Sequence, residues 1–248
     1  MKRLTHVLFV LLAVVMSGTA LAIPSGQNNF EGSSWRYQDG QITHLAVFID
    51  GYFSHSRYDV ANKNFISTRG GTYQVNDGAL AVQWQYDTDK ASAEADLGTW
   101  LGQIVTFTAE HNQNALQTDI TGAVAQWERI QEQPTALTGV WRMSGRMQGD
   151  EVSDHPLRDR RTLKILTGNR FQWVAINIAT GAFSGTGGGT YTFENGKYTE
   201  NIEFFSRDGS RVGASLTFDG NVQDGKWHHS GLSSTGNPIY EIWSRMDD

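Results

Sequence analysis

The nonapeptide Phe65-Ile66-Ser67-Thr68-Arg69-Gly70-Gly71-Thr72-Tyr73 recurs as Phe183-Ser184-Gly185-Thr186-Gly187-Gly188-Gly189-Thr190-Tyr191, with six of the nine positions identical. Unrelated segments agree at about one position in twenty, so the chain carries an internal repeat. The spacing is 118 residues, and the same spacing lays Phe53 over Phe171 and Asp77-Gly78 over Asn195-Gly196. The outer edges correspond as well. Ser34-Trp35-Arg36 matches Val140-Trp141-Arg142, and Trp127-Glu128-Arg129 matches Trp243-Ser244-Arg245. Between the two units Gln131 to Thr138 is poor in apolar residues and contains Pro134, the mark of a linker. The repeat therefore divides the chain into units at 28–131 and 137–248.

Within each unit the apolar pattern has a period near two. Tyr191-Thr192-Phe193 runs into Glu194-Asn195-Gly196, a hairpin turn signal, and a β-rich stretch resumes at Lys197. Arg207-Asp208-Gly209-Ser210, Asp224-Gly225 and Thr235-Gly236-Asn237-Pro238 punctuate the rest at regular intervals. Short aromatic and β-branched runs between such turns predict an all-β fold. Two tandem small antiparallel barrels, each closed so that no edge strand is exposed, fit units of this length. Two stretches depart from the pattern. Lys90 to Trp100 is rich in alanine and acidic residues, which predicts a short helix, and Asp154 to Arg161 reads as a charged loop.

Met1 to Ala22 has the layout of a cleaved secretory signal: Lys2-Arg3, an apolar run from Val7 to Met16, and Ala20-Leu21-Ala22 as a small-x-small cleavage site. The expected location is therefore periplasmic or secreted. The apolar run is too short to span a bilayer comfortably, so no stable membrane insertion is expected after cleavage. Losing the two basic residues takes the formal net charge from −6 to −8. That balance disfavours nucleic acid as a partner, because no basic surplus is present to displace phosphate counterions. The chain has no cysteine, which excludes disulfides, thiolate metal sites and a cysteine nucleophile.

Barrel closure gives the recurrent Trp and Arg a purpose. If the first and last strands of the second unit are neighbours, the Arg245 guanidinium can stack on the Trp141 indole and seal one end. Trp35 and Arg129 would repeat the arrangement in the first unit. Gly139-x-Trp141, Gly188-Gly189-Thr190-Tyr191, Tyr198-Thr199-Glu200, Trp227-His228-His229-x-Gly231 and Glu241-Ile242-Trp243-x-Arg245 together resemble the lipocalin-like group of secreted bacterial proteins, calycin-type barrels of mostly uncharacterised function. The resemblance covers the second unit closely and the first more loosely. It implies a β-barrel with an interior cup for a small molecule, and no particular reaction.

Polar groups are distributed unequally between the units. At the 118-residue spacing Glu200 falls over Val82 and Glu203 over Gln85. Counting back from the closing Trp-x-Arg pairs Glu241 with Ala125, His229 with Gln113 and Trp227 with His111. The second unit is thus expected to hold the polar site, with the first mainly as support. Strand alternation places Tyr198 and Glu200 on one face, Trp227 and His229 on one face, and Glu241 on the face of Arg245. Tyr198, Glu200, Trp227, His229 and Glu241 are the candidate ligand-binding residues, with aromatic faces and a few polar anchors suited to a sugar-like or other polar ring. The same residues admit a purely structural role as ion-paired core groups. A third reading is a lyase, hydratase or isomerase using Glu200, His229 or Glu241 for proton transfer. No metal or cofactor is expected. Gly185-x-Gly187-Gly188-Gly189 lacks the Lys-Ser/Thr ending of a phosphate loop and precedes a strand, so a tight bend or a close backbone approach explains it better.

Overall fold

A computed structural model describes residues 30–91, 99–149, 151–233 and 235–246. The expected signal segment lies outside the described residues. The first unit contains strands β1 (Ser33–Asp39), β2 (Ile42–Ile49), β3 (Tyr52–Asp59), β4 (Asn64–Asn76), β5 (Ala79–Asp87), β6 (Ile104–Thr108), β7 (Glu110–His111), β8 (Ala115–Thr118) and β9 (Ala125–Arg129). The second contains β10 (Gly139–Gln148), β11 (Glu151–Asp154), β12 (Arg160–Leu166), β13 (Arg170–Asn177), β14 (Ala182–Glu194), β15 (Lys197–Phe205), β16 (Ser215–Gln223), β17 (Lys226–Leu232) and β18 (Pro238–Arg245). All pairings are antiparallel, and each unit curls into a barrel.

Turn chemistry sets the register. Asp77-Gly78 and Asn195-Gly196 both take left-handed φ at both positions, the geometry of the tight hairpin turn that matches strand twist. The repeated glycines mark a bulge. The register slips between Gly70 and Gly71 and again between Gly188 and Gly189. A Cβ at Gly71 would collide with the Gln83 carbonyl, and one at Gly189 with the Asn201 carbonyl, so these positions accept only glycine. The bend lets each long strand turn a barrel corner.

The second barrel closes where β10 pairs β18. Trp141 stands opposite Arg245, whose Cζ lies 3.8 Å from the indole centroid, and Arg245 Nη1 donates to the Thr138 carbonyl at 2.7 Å. In the first barrel β1 pairs β9 with Trp35 opposite Arg129, but the cation sits 5.6 Å from the ring. That barrel is also not fully closed. β6 and β7 are the sheet's edges and do not pair with each other, and the seam is bridged by Thr108, whose N–H and hydroxyl both donate to Asp119 Oδ1 at 2.8 and 3.0 Å. The expectation of two closed barrels holds for the second and is corrected for the first, whose last strands are too short to reach across. The expected helix at Lys90–Trp100 is represented by α1, Thr88–Ala91, with residues 92–98 outside the described part. The expected charged loop at Asp154–Arg161 is confined to residues 155–159, because β12 begins at Arg160.

Three apolar clusters hold the molecule together. One fills the first barrel, around Trp35, Phe48, Phe53, Trp84 and Trp127, and one the second, around Trp141, Phe171, Tyr198, Trp227 and Trp243. The third lies between the barrels: Leu45, Val47, Ile49, Tyr58 and Tyr86 of the first meet Val140, Leu163, Ile165, Val174 and Phe204 of the second. Residues 118 apart touch across this interface. Ser54 Oγ donates to Gln172 Oε1 at 2.5 Å, and Gln172 Nε2 donates to Thr68 and Thr186, both at 3.0 Å. Phe65 stacks on Phe183 with rings 9° from parallel. Tyr58 donates to Glu203 Oε2 at 2.8 Å, and Arg170 Nη1 donates to Glu203 Oε1 at 2.9 Å.

Because the third cluster is shared, the barrels should unfold together. Leu163→Ala, at a fully buried interface position, is expected to lower stability by about 2–5 kcal/mol and to shift one calorimetric transition as a whole. Two resolved transitions, with only the later or earlier one moved, would refute the coupling.

Candidate functional site

In the second barrel the alternation of β15, β17 and β18 turns Glu200, His229 and Glu241 inward, where they meet a lysine from β12. Leu163 and Ile165 on that strand face the inter-barrel cluster, so Lys164 between them must face the barrel interior. Its Nζ bonds Glu200 Oε1 at 2.8 Å, with Lys164 only 4% exposed and Glu200 6%. Three rings surround the same ammonium, with centroids at 4.7 Å (Tyr198), 4.9 Å (Trp227) and 5.3 Å (Trp243). A desolvated cation held this way gains both the carboxylate and the negative ring faces, the latter worth up to about 2 kcal/mol.

Beside this pair, His229 Nδ1 lies 3.2 Å from Glu241 Oε2. Burial pushes the His229 pKa down, the Lys164 charge pushes it further, and the two glutamates only partly compensate. Burial alone would raise Glu241, but the hydrogen bond from His229 and the nearby charges, Lys164 and Arg146 among them, bring it below the usual carboxylate value. Near neutral pH the pair is thus a neutral imidazole donating Nδ1–H to a carboxylate, which leaves Nε2 as an acceptor lone pair. That Nε2 is buried and has no hydrogen-bond partner.

Above these groups lies a cup of about 290 Å³, lined by Lys164, Glu200, His229 and Glu241 and walled by Trp173, Phe205, Leu216, Phe218, Ile239 and Trp243. Of the five residues singled out from sequence, Glu200, His229 and Glu241 line the cup. Tyr198 and Trp227 do not; they are fully buried beneath it and hold the Lys164 ammonium. Trp141 and Arg245 close the barrel behind. Lys164 is the residue the sequence reading missed. The signal was present: a lysine inside the apolar run Leu163–Leu166, where the first unit has Ala46.

Register corrects two of the equivalences between the units. Leu116 opposes Trp127 just as Trp227 opposes Trp243, and Thr118 opposes Ala125 as His229 opposes Glu241. Trp227 therefore corresponds to Leu116 rather than His111, and His229 to Thr118 rather than Gln113. The final hairpin loops differ in length, so a constant offset slips there. The positions of Lys164, Glu200, His229 and Glu241 are Ala46, Val82, Thr118 and Ala125 in the first barrel.

The first barrel is not featureless, however. It contains a hollow of about 490 Å³ lined by His44, His55, Arg57, Arg69 and Asp89 together with Tyr37, Phe107 and Asp119. His44 Nδ1 and His55 Nε2 share a hydrogen bond at 3.2 Å, with rings stacked 19° from parallel. Burial holds the His44 pKa down to about 4, with the Arg57 charge contributing next. Burial and then Arg69 hold His55 well below the ordinary value. His44, His55, Arg57 and Arg69 occupy strand positions whose counterparts in the second unit are the uncharged Thr162, Trp173, Ala175 and Gly187, whereas Asp89 stands at the position of Arg207, which lines the cup. Among the described residues no group of three or more His, Asp and Glu side chains is placed to hold a metal ion. The sequence matches no protein-family model and no curated protein.

Two outcomes follow from this electrostatics. Lys164→Met leaves Glu200 buried without its cation and is expected to cost about 3–5 kcal/mol in denaturant unfolding, much of it recovered by adding Glu200→Leu. A double variant no more stable than Lys164→Met would show that the ion pair is not the source. For the histidines, folded pKa values below the unfolded one mean that the unfolded chain binds more protons. The His44 contribution is complete above about pH 6.5 and is lost as pH falls toward 4, on the order of 3 kcal/mol, and His55 acts in the same direction. The fall in Tm across that window should be shallower in His44→Gln/His55→Gln than in the parent; equal slopes would contradict it.

Proposed function

We propose that the protein is an exported, lipocalin-like binding protein that takes a small molecule into the cup of its second barrel. The observation that carries this is the placement of four ionisable groups at the floor of an aromatic-walled cup, in a barrel whose duplicate has small or apolar residues at the same four positions. Buried charges are expensive to retain in a core that hydrocarbon could fill, and an accessible cup above them gives them a use. The apolar walls suit a ring or branched aliphatic body. Glu241, whose side chain is 12% exposed against 2% for His229, suits a hydroxyl or amide donor on the inner end of that body, with His229 orienting the carboxylate. Among the described residues no helix is long and apolar enough to cross a membrane.

A ligand found by thermal-shift screening of polar ring compounds should lose about tenfold or more in affinity with Glu241→Leu, the loss of one hydrogen bond to a carboxylate. It should not bind Ala175→Trp, which fills the cup, and His55→Phe in the first barrel should leave it unchanged. Binding indifferent to both cup variants would overturn the proposal. Export is tested separately: protein recovered from the periplasm or medium should begin at Ile23.

The His229–Glu241 pair favours a second reading, proton transfer, since a carboxylate held by a neutral imidazole at the wall of the cup is built as a base. Deuterium exchange from solvent into a carbon-bound hydrogen of the bound ligand, lost in Glu241→Leu, would mark an enzyme. Binding without exchange would leave a carrier.

A further inference from the structure

The two units are not the same length at their starts. Trp35 and Trp141 are 106 residues apart, whereas Phe53 and Phe171 are 118 apart, so the second unit carries twelve extra residues between its first and later strands. These extend β10, add β11 and form the segment 155–159. Along them a groove of about 600 Å³ is lined by Arg142, Arg146, Arg158, Arg160 and Arg161, with Asp154 the one carboxylate among its lining residues. Glu151 and Asp159 flank it in the chain. Arg142 Nη1 donates to the His155 carbonyl at 3.2 Å and Arg161 Nε to the Arg158 carbonyl at 3.0 Å, which fixes two of the heads. Among the described residues no carboxylate lies within ion-pair distance of Arg146, Arg158, Arg160 or Arg161.

Four guanidinium groups gathered in one groove, those of Arg146, Arg158, Arg160 and Arg161, run against the formal net charge of −6. Their mutual repulsion is relieved by an anion, and the planar fork of arginine is suited to carboxylate, phosphate or sulfonate oxygens. The groove shares part of its wall with the cup. Met143 and Thr162 line both hollows. The β10–β18 register sets Arg146 directly opposite Glu241, on the same face of the sheet.

We propose that this arginine groove binds the anionic head group of the molecule whose apolar body occupies the cup, so that the ligand class is a small amphiphilic anion. The inference rests on the cup being the binding site, and the test separates the two. The probes are 1-anilinonaphthalene-8-sulfonate and its uncharged counterpart N-phenyl-1-naphthylamine, titrated by fluorescence into the full chain. Arg158→Gln/Arg160→Gln should weaken the sulfonate dye about tenfold or more while leaving the neutral dye unchanged. Raising NaCl from about 50 mM to about 500 mM should likewise weaken only the sulfonate dye, because exposed charges are screened. Ala175→Trp should abolish binding of both. If both dyes respond to Ala175→Trp but the arginine variant and salt change neither, the head-group assignment is overturned and the cup stands. If neither dye responds to Ala175→Trp, the cup reading falls and this inference with it.

Discussion

Burial of both faces of the central strands is the constraint on which the rest of the molecule depends. A barrel strand ordinarily shows one face to its own interior and one to solvent. Here β2, β3, β12 and β13 turn their outer faces into a second apolar layer, which also carries the hydrogen bonds joining Ser54, Gln172, Thr68 and Thr186. Those strands cannot rotate or slip by one residue without moving an interface side chain into a barrel or a barrel side chain into the interface. The inward direction of Lys164 is a consequence. With Leu163 and Ile165 committed to the other barrel, the lysine between them has nowhere else to point.

From that direction the site follows. A cation delivered into a closed, aromatic interior must be neutralised, and Glu200 on β15 and the rings of Tyr198, Trp227 and Trp243 do so. Burial, and after it the positive charge so fixed, lowers the proton affinity of His229, and the neutral imidazole then donates to Glu241. The four ionisable groups thus act as one electrostatic unit. Losing Lys164 or Glu241 changes the protonation equilibrium of His229.

Much of the architecture could be read from the sequence because its signals are local. Asn195-Gly196 and Asp77-Gly78 announce their turns, period-two alternation announces the strands, and the repeated Gly-Gly-Thr-Tyr announces the duplication. The inward facing of Glu200, His229 and Glu241 followed from the same alternation. What escaped depended on tertiary context. Leu45 to Ile49 is apolar at every position, so alternation says nothing about which residues face the interface, and for the same reason Lys164 hid among its neighbours. The open seam of the first barrel follows from strands only two to five residues long, a length no turn signal encodes. The mispairing of His229 with Gln113 arose because the hairpin loop between Thr118 and Ala125 differs in length from its counterpart.

Duplication also explains why polar groups differ so sharply between the barrels. The interface couples residues at equivalent positions, as with Phe65 on Phe183, so a change there must be accommodated on both sides at once. Interior positions carry no such obligation, because each barrel packs its own. Divergence in charge is marked in the interiors and the connections: His44, His55 and the arginines in one barrel, Lys164, Glu200, His229 and Glu241 in the other, and twelve additional residues on one side alone. The closed barrel bears both the ion-paired cup and the arginine groove. A shared outer core of this kind lets one copy retain the packing while the other tolerates buried charge, which a single barrel of about 100 residues, with little stability to spare, would support poorly.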